Sequence, residues 1–584
     1  MENPVIRKRL SIRLPEKVVL RLLIYLGIAF LINLVVFEVM HSLNFIYYEM
    51  NDDFAVQSLL NGSAGGYYTY FPNINVTVLS MLAGLYGAVP AVNWYGVCLL
   101  LGLMLSWAFV GGVLMQNFGL KLGLPLYALL VPLSFGLLLT HFTYTVVSYS
   151  MLAAALACLI CAFYMKDKVS QRLLYIFSGV WLLVALLLRV EVAASAAVYG
   201  GACVLFLLLK YKKRAVACVG VAVAAVAVFG ACFAADAAYY KNDAEAGEFK
   251  EFYEARVSLV DNAPLAYELH AEGYAQIGWG ELELNMLQNF MYPDDPRFIT
   301  ENFNYAASIR ENIRYMDDGA ALLSNFLTTF TEGNYAMLFI LLCVFLLAFF
   351  SGGREILSVI LLALPFLFQL LFAVLWRVTF RTVYPHYLLS IVILLCLVNV
   401  PKLKESWSEA AGKKLGTLLC AAMTAIASVL FVNQFLMQSW AGATKNADGT
   451  AALRREAFAY FENDKEHAYI YLTTGPLISA CESYSILETF EQDYFSNSRL
   501  MGGWDVRSPS YNAFLERYSI SALPRDVVDN ENIYIVLPDD ALVTEFLYQR
   551  YGMPVKYETV HTIGDSLIVC RMVSGTEEEK AMIY

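Results

Sequence analysis

Long stretches of this sequence carry no charge at all. Only 16% of its 584 residues are Asp, Glu, Lys or Arg, while 59% are hydrophobic and the mean hydropathy is +0.55. That balance excludes an ordinary soluble domain and places the chain among polytopic helical membrane proteins. The middles of the apolar runs hold neither acids nor lysines, and no matched halves are visible. Transporters place ionisable groups near the bilayer midplane in repeated halves, so this lack points instead to chemistry at a membrane surface. No small-residue cleavage site follows the first apolar run, which therefore reads as a retained anchor. Reactive cysteine is scarce too. Nine of the eleven cysteines lie in apolar runs, where they act as small hydrophobes, and the CxxC spacing of Cys158 and Cys161 reads as packing. Cys481 and Cys570 lie in the tail and are expected to be able to pair.

What is present is a series of windows long enough to cross a bilayer, whose apolar core takes about 20 helical residues. They fall near 18–40, 93–115, 121–140, 143–164, 172–189, 192–209, 215–235, 335–351, 355–376, 383–400 and 416–437. Backbone amides cannot stay unpaired in lipid, so all eleven are expected as helices. A shorter stretch, 75–89, is expected to lie in the outer interface. Nineteen lysines and arginines fall on the segments that would then face inward, against only Arg189, Arg377 and Arg381 on the short outer ones. The bias predicts a cytoplasmic amino terminus and an extracytoplasmic carboxyl terminus.

The fold class expected is an all-α polytopic membrane protein with a small extracytoplasmic α/β domain. Residues 1–440 form the membrane module, with an outer loop 41–74 and an extracytoplasmic insert 236–335; residues 441–584 form the α/β domain. In the latter, "AYIYLTT" and "NIYIVLP" read as strands, "DDALVTEFLYQRYG" as a helix, and "PVKYETVHTI" with "SLIVCRMV" as a hairpin. The insert holds 18 acidic and 6 basic residues within a chain of net charge −11, which excludes nucleic acid as a partner.

Several polar residues fall on outer turns. Asp52 and Asp53 follow the first window in "YYEMNDDFAVQSLL". His141 and Tyr144 occupy the next outer turn, and Arg189 and Glu191 the one after, in "LLLRVEV". Arg377, Arg381, Tyr384 and His386 lie in "LWRVTFRTVYPHY". Charged groups here are costly unless solvated or paired, so their convergence would mark a site. If their turn is helical, Arg377 and Arg381 share one face and can grip a phosphate; the bland reading is interfacial anchoring, as snorkelling is for Arg189. Asp294, Asp295, Asp317 and Asp318 read as solvated loop residues.

An acidic pair in the first outer loop, an interfacial helix before the second span, an arginine–acid element and a later arginine-rich turn together resemble the GT-C glycosyltransferases. Within them the pattern is similar to the branch of protein mannosyltransferases and aminoarabinose transferases, mainly over residues 18–240. The resemblance implies an inverting transfer from a polyprenyl-phosphate-linked sugar to a glycan, lipid or protein acceptor at the outer face of a plasma membrane. It implies Asp52 or Asp53 as general base, or as ligand of a divalent cation (Mg or Mn). It also implies Arg189, Arg377 and Arg381 as holders of the departing phosphate, with Glu191, Tyr384, His386 and His141 nearby. Other readings are a transporter or flippase, or a polymerase, of lipid-linked saccharides.

Overall fold

The computed structural model of the chain describes residues 17–43, 46–212, 216–261, 267–309, 319–329, 335–352, 354–375, 377–402, 429, 449–473, 475–537, 541–564 and 566–576. Among them are nine helices long and apolar enough to cross a membrane: Val18–Ser42, Trp94–Phe118, Leu120–Thr140, Tyr144–Tyr164, Lys168–Leu188, Val192–Tyr211, Val216–Asn242, Glu355–Val374 and Phe380–Leu397. They match nine of the expected windows. The window 335–351 holds the shorter apolar helix Tyr335–Phe350, and 416–437 lies outside the described residues. The chain is thus a multi-pass, mostly helical membrane protein with a small carboxyl-terminal sheet.

The 13-residue helix Val76–Ala88 is too short to cross. Both of its ends are tied to the same end of the bundle. The Val76 N–H donates to Asp236 Oδ1 (2.8 Å) at the end of the span Val216–Asn242, and the Tyr86 hydroxyl donates to Asn93 Oδ1 (2.6 Å), the cap of the span Trp94–Phe118. The helix therefore lies across that end of the bundle.

The tail builds a five-stranded sheet from β1 (Ala468–Leu472), β2 (Ser498–Met501), β3 (Ile533–Leu537), β4 (Val555–Ile563) and β5 (Leu567–Ser574), in the order β2-β1-β3-β5-β4. β2, β1 and β3 run parallel, and β5 and β4 close the sheet antiparallel. Gly564, at φ +57°, turns the expected hairpin. Cys481 and Cys570 do not pair: each is free and they are buried in different apolar clusters.

Helices of the insert share one hydrophobic core with this sheet, in which Phe252, Leu259, Trp279 and Phe303 meet Ile470, Ile535 and Phe546. The insert and tail thus form one extramembrane unit. Asp294 and Asp295 are not solvated loop residues. Asp294 Oδ2 accepts from the Tyr511 hydroxyl (2.7 Å) and the Leu523 N–H (3.2 Å), while Asp295 is held by Arg297 and the Tyr551 hydroxyl. Asp317 and Asp318 lie outside the described residues. Glu283 of the insert is fully buried; it takes Arg550 of the tail (Nη2 to Oε2, 2.6 Å) and lies 3.8 Å from Arg297. Arg297 keeps Asp295, but removing the Glu283 anion leaves the Arg550 guanidinium uncompensated, so Glu283→Gln is expected to cost about 3 kcal/mol. Thermal unfolding and proteolysis of the insert will read that loss; an unchanged midpoint would refute the joint unit.

The extramembrane unit also clamps the bundle. Asn93 Nδ2 donates to the Ile486 carbonyl (2.7 Å), and Gln57 Nε2 donates to the Glu488 carbonyl (2.9 Å). A Cβ at Gly96 would stand 1.9 Å from that Ile486 oxygen, so glycine is what lets the tail sit directly on the second span.

Candidate active site

The loop after the first span folds into the helix Asn51–Leu60, with Asp52 and Asp53 in its first turn. Unpaired backbone amides and the helix dipole favour negative charge there. The two carboxylates nevertheless face different surroundings. Asp53 is fully buried, and its Oδ1 accepts from the Tyr95 hydroxyl (2.7 Å) and the Tyr144 N–H (2.9 Å), pinning the helix to the second and fourth spans. Its Oδ2 has no partner among the described residues. Burial pushes the Asp53 carboxyl up to about 7, against the pull of those two bonds; Asp52 adds to the rise and Arg381 opposes it. Asp52 is half-buried and makes no hydrogen bond among the described residues. Burial raises its carboxyl above the ordinary range, held in check by Arg381, Arg189 and Arg256 in that order.

Both aspartates line a cavity of about 750 Å³ where the bundle meets the extramembrane unit. Arg189 and Glu191 line it too, as do Arg377 and Arg381. Arg189 caps the helix Lys168–Leu188 and is fixed by donating to the Tyr144 hydroxyl (2.6 Å) and Thr145 Oγ1 (3.0 Å), with Glu191 at 3.3 Å. Arg377 and Arg381 do not share a helix face. Helix Phe380–Leu397 starts after Thr379, whose capping box with Thr382 leaves Arg377 on irregular backbone. There Arg377 bonds Asp261 of the insert (Nη2 to Oδ2, 2.8 Å) rather than standing free for a phosphate. Arg381 has no hydrogen bond or ion pair among the described residues, so its charge is available to a ligand.

Three expected residues do not line the cavity. Tyr384 is buried between helices and donates to the Leu133 carbonyl. His386 is buried deeper in the same span, stacked on Phe368 with centroids 3.9 Å apart. The helix has carried both below the surface level of Arg381. His141 is engaged by Glu49 (Nδ1 to Oε1, 2.8 Å) and stacks on Phe380.

Arg256, which the sequence reading passed over, completes the cavity. It lies on the insert helix Ala244–Val260, is only 3% exposed, and is flanked by the Tyr253 and Tyr292 rings. Its Nη1 donates to the Tyr292 hydroxyl (3.3 Å) and lies 3.7 Å from Asp261 Oδ1, while Nε has no partner among the described residues. A signal was present: Phe249, Phe252, Arg256 and Leu259 fall on one helical stripe, and a charge on such a stripe needs a reason.

Among the described residues no three His, Cys, Asp or Glu side chains come together as a metal set. Asp53 Oδ1 is committed to Tyr95 and Tyr144, so Asp53 Oδ2 and the Asp52 carboxylate are the protein oxygens that would hold a divalent cation beside a substrate phosphate and water. No step below is routed through a cation.

No protein-family model matches the chain, and no curated protein matches it. Among solved structures it is similar to "ArnT from Cupriavidus metallidurans in the apo state", at 11% identity, over 94% of this chain and 97% of that chain, with a TM-score of 0.37.

Proposed function

We propose that the chain is a membrane glycosyltransferase of the GT-C type, moving a sugar from a polyprenyl-phosphate donor to a hydroxyl acceptor at the outer face of the plasma membrane. The observation that carries this reading is the sharing of one cavity by Asp52, Arg189, Arg256 and Arg381, which come from four separate parts of the chain. A carboxylate with no structural bond can take a proton, and a guanidinium with no partner can take an anion.

The step is a single displacement at the anomeric carbon. The acceptor hydroxyl gives its proton to the Asp52 carboxylate as its oxygen bonds that carbon. The bond from the anomeric carbon to the phosphate oxygen breaks, its electron pair leaves with the lipid phosphate, and the configuration inverts. Arg381 takes up the departing charge, with Arg189 and Arg256 flanking it. Asp53 holds the helix that aims Asp52.

The test uses purified protein in nanodiscs with polyprenyl-phosphate-linked hexoses and pentoses, following release of free polyprenyl phosphate. Release is expected, and Arg381→Gln is expected to lower kcat/KM for the donor by about a hundredfold. Transport of intact donor across vesicles without cleavage, or full turnover in that variant, would overturn the reading.

A further inference from the structure

One wall of the cavity belongs to the tail, and nothing in the displacement above uses it. Arg499 lies on β2 and is 8% exposed. Its Nη1 donates to Asp505 Oδ2 (3.1 Å) and its Nη2 to the Ser510 carbonyl (3.1 Å), while its Nε has no partner among the described residues. Asp505 and the neighbouring Trp504 line the same cavity, as do Gln288 and Asn289 of the insert. Trp504 is wedged edge-on against Phe71 of the first outer loop, with centroids 5.0 Å apart. The tail therefore presents a planar donor fork, a carboxylate and an indole to the cavity that Asp52 also lines.

Charge narrows what this wall can receive. The cavity is lined by five arginines and five carboxylates, with no lysine or histidine. A sugar phosphodiester brings one negative charge, which Arg381 can meet. The other four arginines meet three carboxylates directly: Arg499 has Asp505, Arg189 has Glu191, and Arg377 and Arg256 share Asp261, with Asp52 as the fourth counter-charge. Even with Asp53 protonated, five arginines therefore face Asp52, Glu191, Asp261, Asp505 and the phosphodiester, so no cation is left over for a second anion and an acidic acceptor would stand against Asp505. What remains suits hydroxyls. A hydroxyl both donates and accepts, so it can bond a carboxylate and a guanidinium together, and a pyranose has an apolar face that packs on an indole. A buried Nε without a partner costs free energy until an oxygen reaches it.

Resting on the glycosyltransferase reading, we infer that the acceptor is an uncharged carbohydrate, bound through its hydroxyls by Arg499, Asp505 and Trp504 on the tail and presented from there to Asp52. The tail is then the acceptor-selecting part of the protein, and the membrane helices hold the donor.

Full-length protein in nanodiscs is titrated with neutral gluco-, galacto- and manno-configured trisaccharides, with an acidic uronic trisaccharide, and with a serine- and threonine-containing peptide. Binding is read by saturation-transfer NMR without donor. At least one neutral trisaccharide is expected to bind saturably, and about tenfold more weakly in Arg499→Met and in Trp504→Leu. Two variants are used because Arg499 also bonds Ser510, and each is checked by thermal unfolding. Preference for the acidic sugar or the peptide, silence with every neutral sugar, or neutral binding untouched in both tail variants overturns the inference. The readout needs no turnover. Failed donor cleavage would sink the glycosyltransferase reading, whereas failed sugar binding beside intact cleavage would sink only this one.

Discussion

Asp52→Asn is expected to slow sugar transfer by about a thousandfold, within the range that a positioned general base supplies. Donor affinity and the thermal midpoint are expected to stay near their wild-type values. The asymmetry between the two aspartates is the reason. Asp52 lines the cavity without a hydrogen bond among the described residues, so the amide keeps its shape and loses only the ability to take a proton. Asp53 joins three elements through Tyr95 and Tyr144, and an amide oxygen at the same place can still accept both bonds. Asp53→Asn is accordingly expected to retain far more activity than Asp52→Asn. Single-turnover rates at saturating donor separate the two, since they report the chemical step apart from binding. The base must be ionised to act, and burial has raised the Asp52 carboxyl. Wild-type activity should therefore rise with pH along an acid limb lying above the ordinary carboxylate range. Equal activity in wild type and Asp52→Asn would remove the base from the mechanism.

The membrane frame was legible because bilayer thickness and backbone pairing leave few alternatives. Nine windows became spans, and the turns bearing Asp52, Arg189 and Arg381 meet at one end. Errors arose where depth along a helix or a distant partner decides the outcome. His386 lies five residues beyond Arg381, about 7 Å further along the helix axis, which takes it from the cavity wall into the packed interior. Arg377 looked free because Asp261, its partner, is more than a hundred residues away in the insert. Arg499 was invisible for a related cause: Asp505 and Ser510 bond it from the chain beyond its own short strand, and no local pattern encodes that packing, whereas Arg256 stood on the apolar stripe of its own helix. The strands β1 and β3 were readable from their own residues. β2, only four residues long, is defined by its pairing with β1.

Asp53 also predicts an unusual dependence of stability on pH. Its carboxyl titrates near 7 in the folded chain, against 3.8 for the free side chain, so the folded state holds the proton more tightly. That contribution to stability is fully present below about pH 4 and is lost as the pH rises through about 7, amounting to about 4 kcal/mol. Carboxylates whose values are lowered, such as Asp295 and Asp464, have the opposite sign, so the wild-type curve alone does not isolate the effect. The difference between wild type and Asp53→Asn does. An amide cannot titrate, and it offers the same acceptor to Tyr95 and Tyr144. The variant is expected to gain about 3 kcal/mol relative to wild type between about pH 5 and about pH 8, measured by chemical unfolding in detergent. The groups that could mimic this are few: Asp52 and Arg381 are the charged neighbours acting on Asp53, and the Asp52→Asn background removes the first. Parallel stability curves for wild type and Asp53→Asn in that background would show that Asp53 is ionised throughout. The pair would then carry two negative charges into the displacement, and the charge balance that selects an uncharged acceptor would need a further cation.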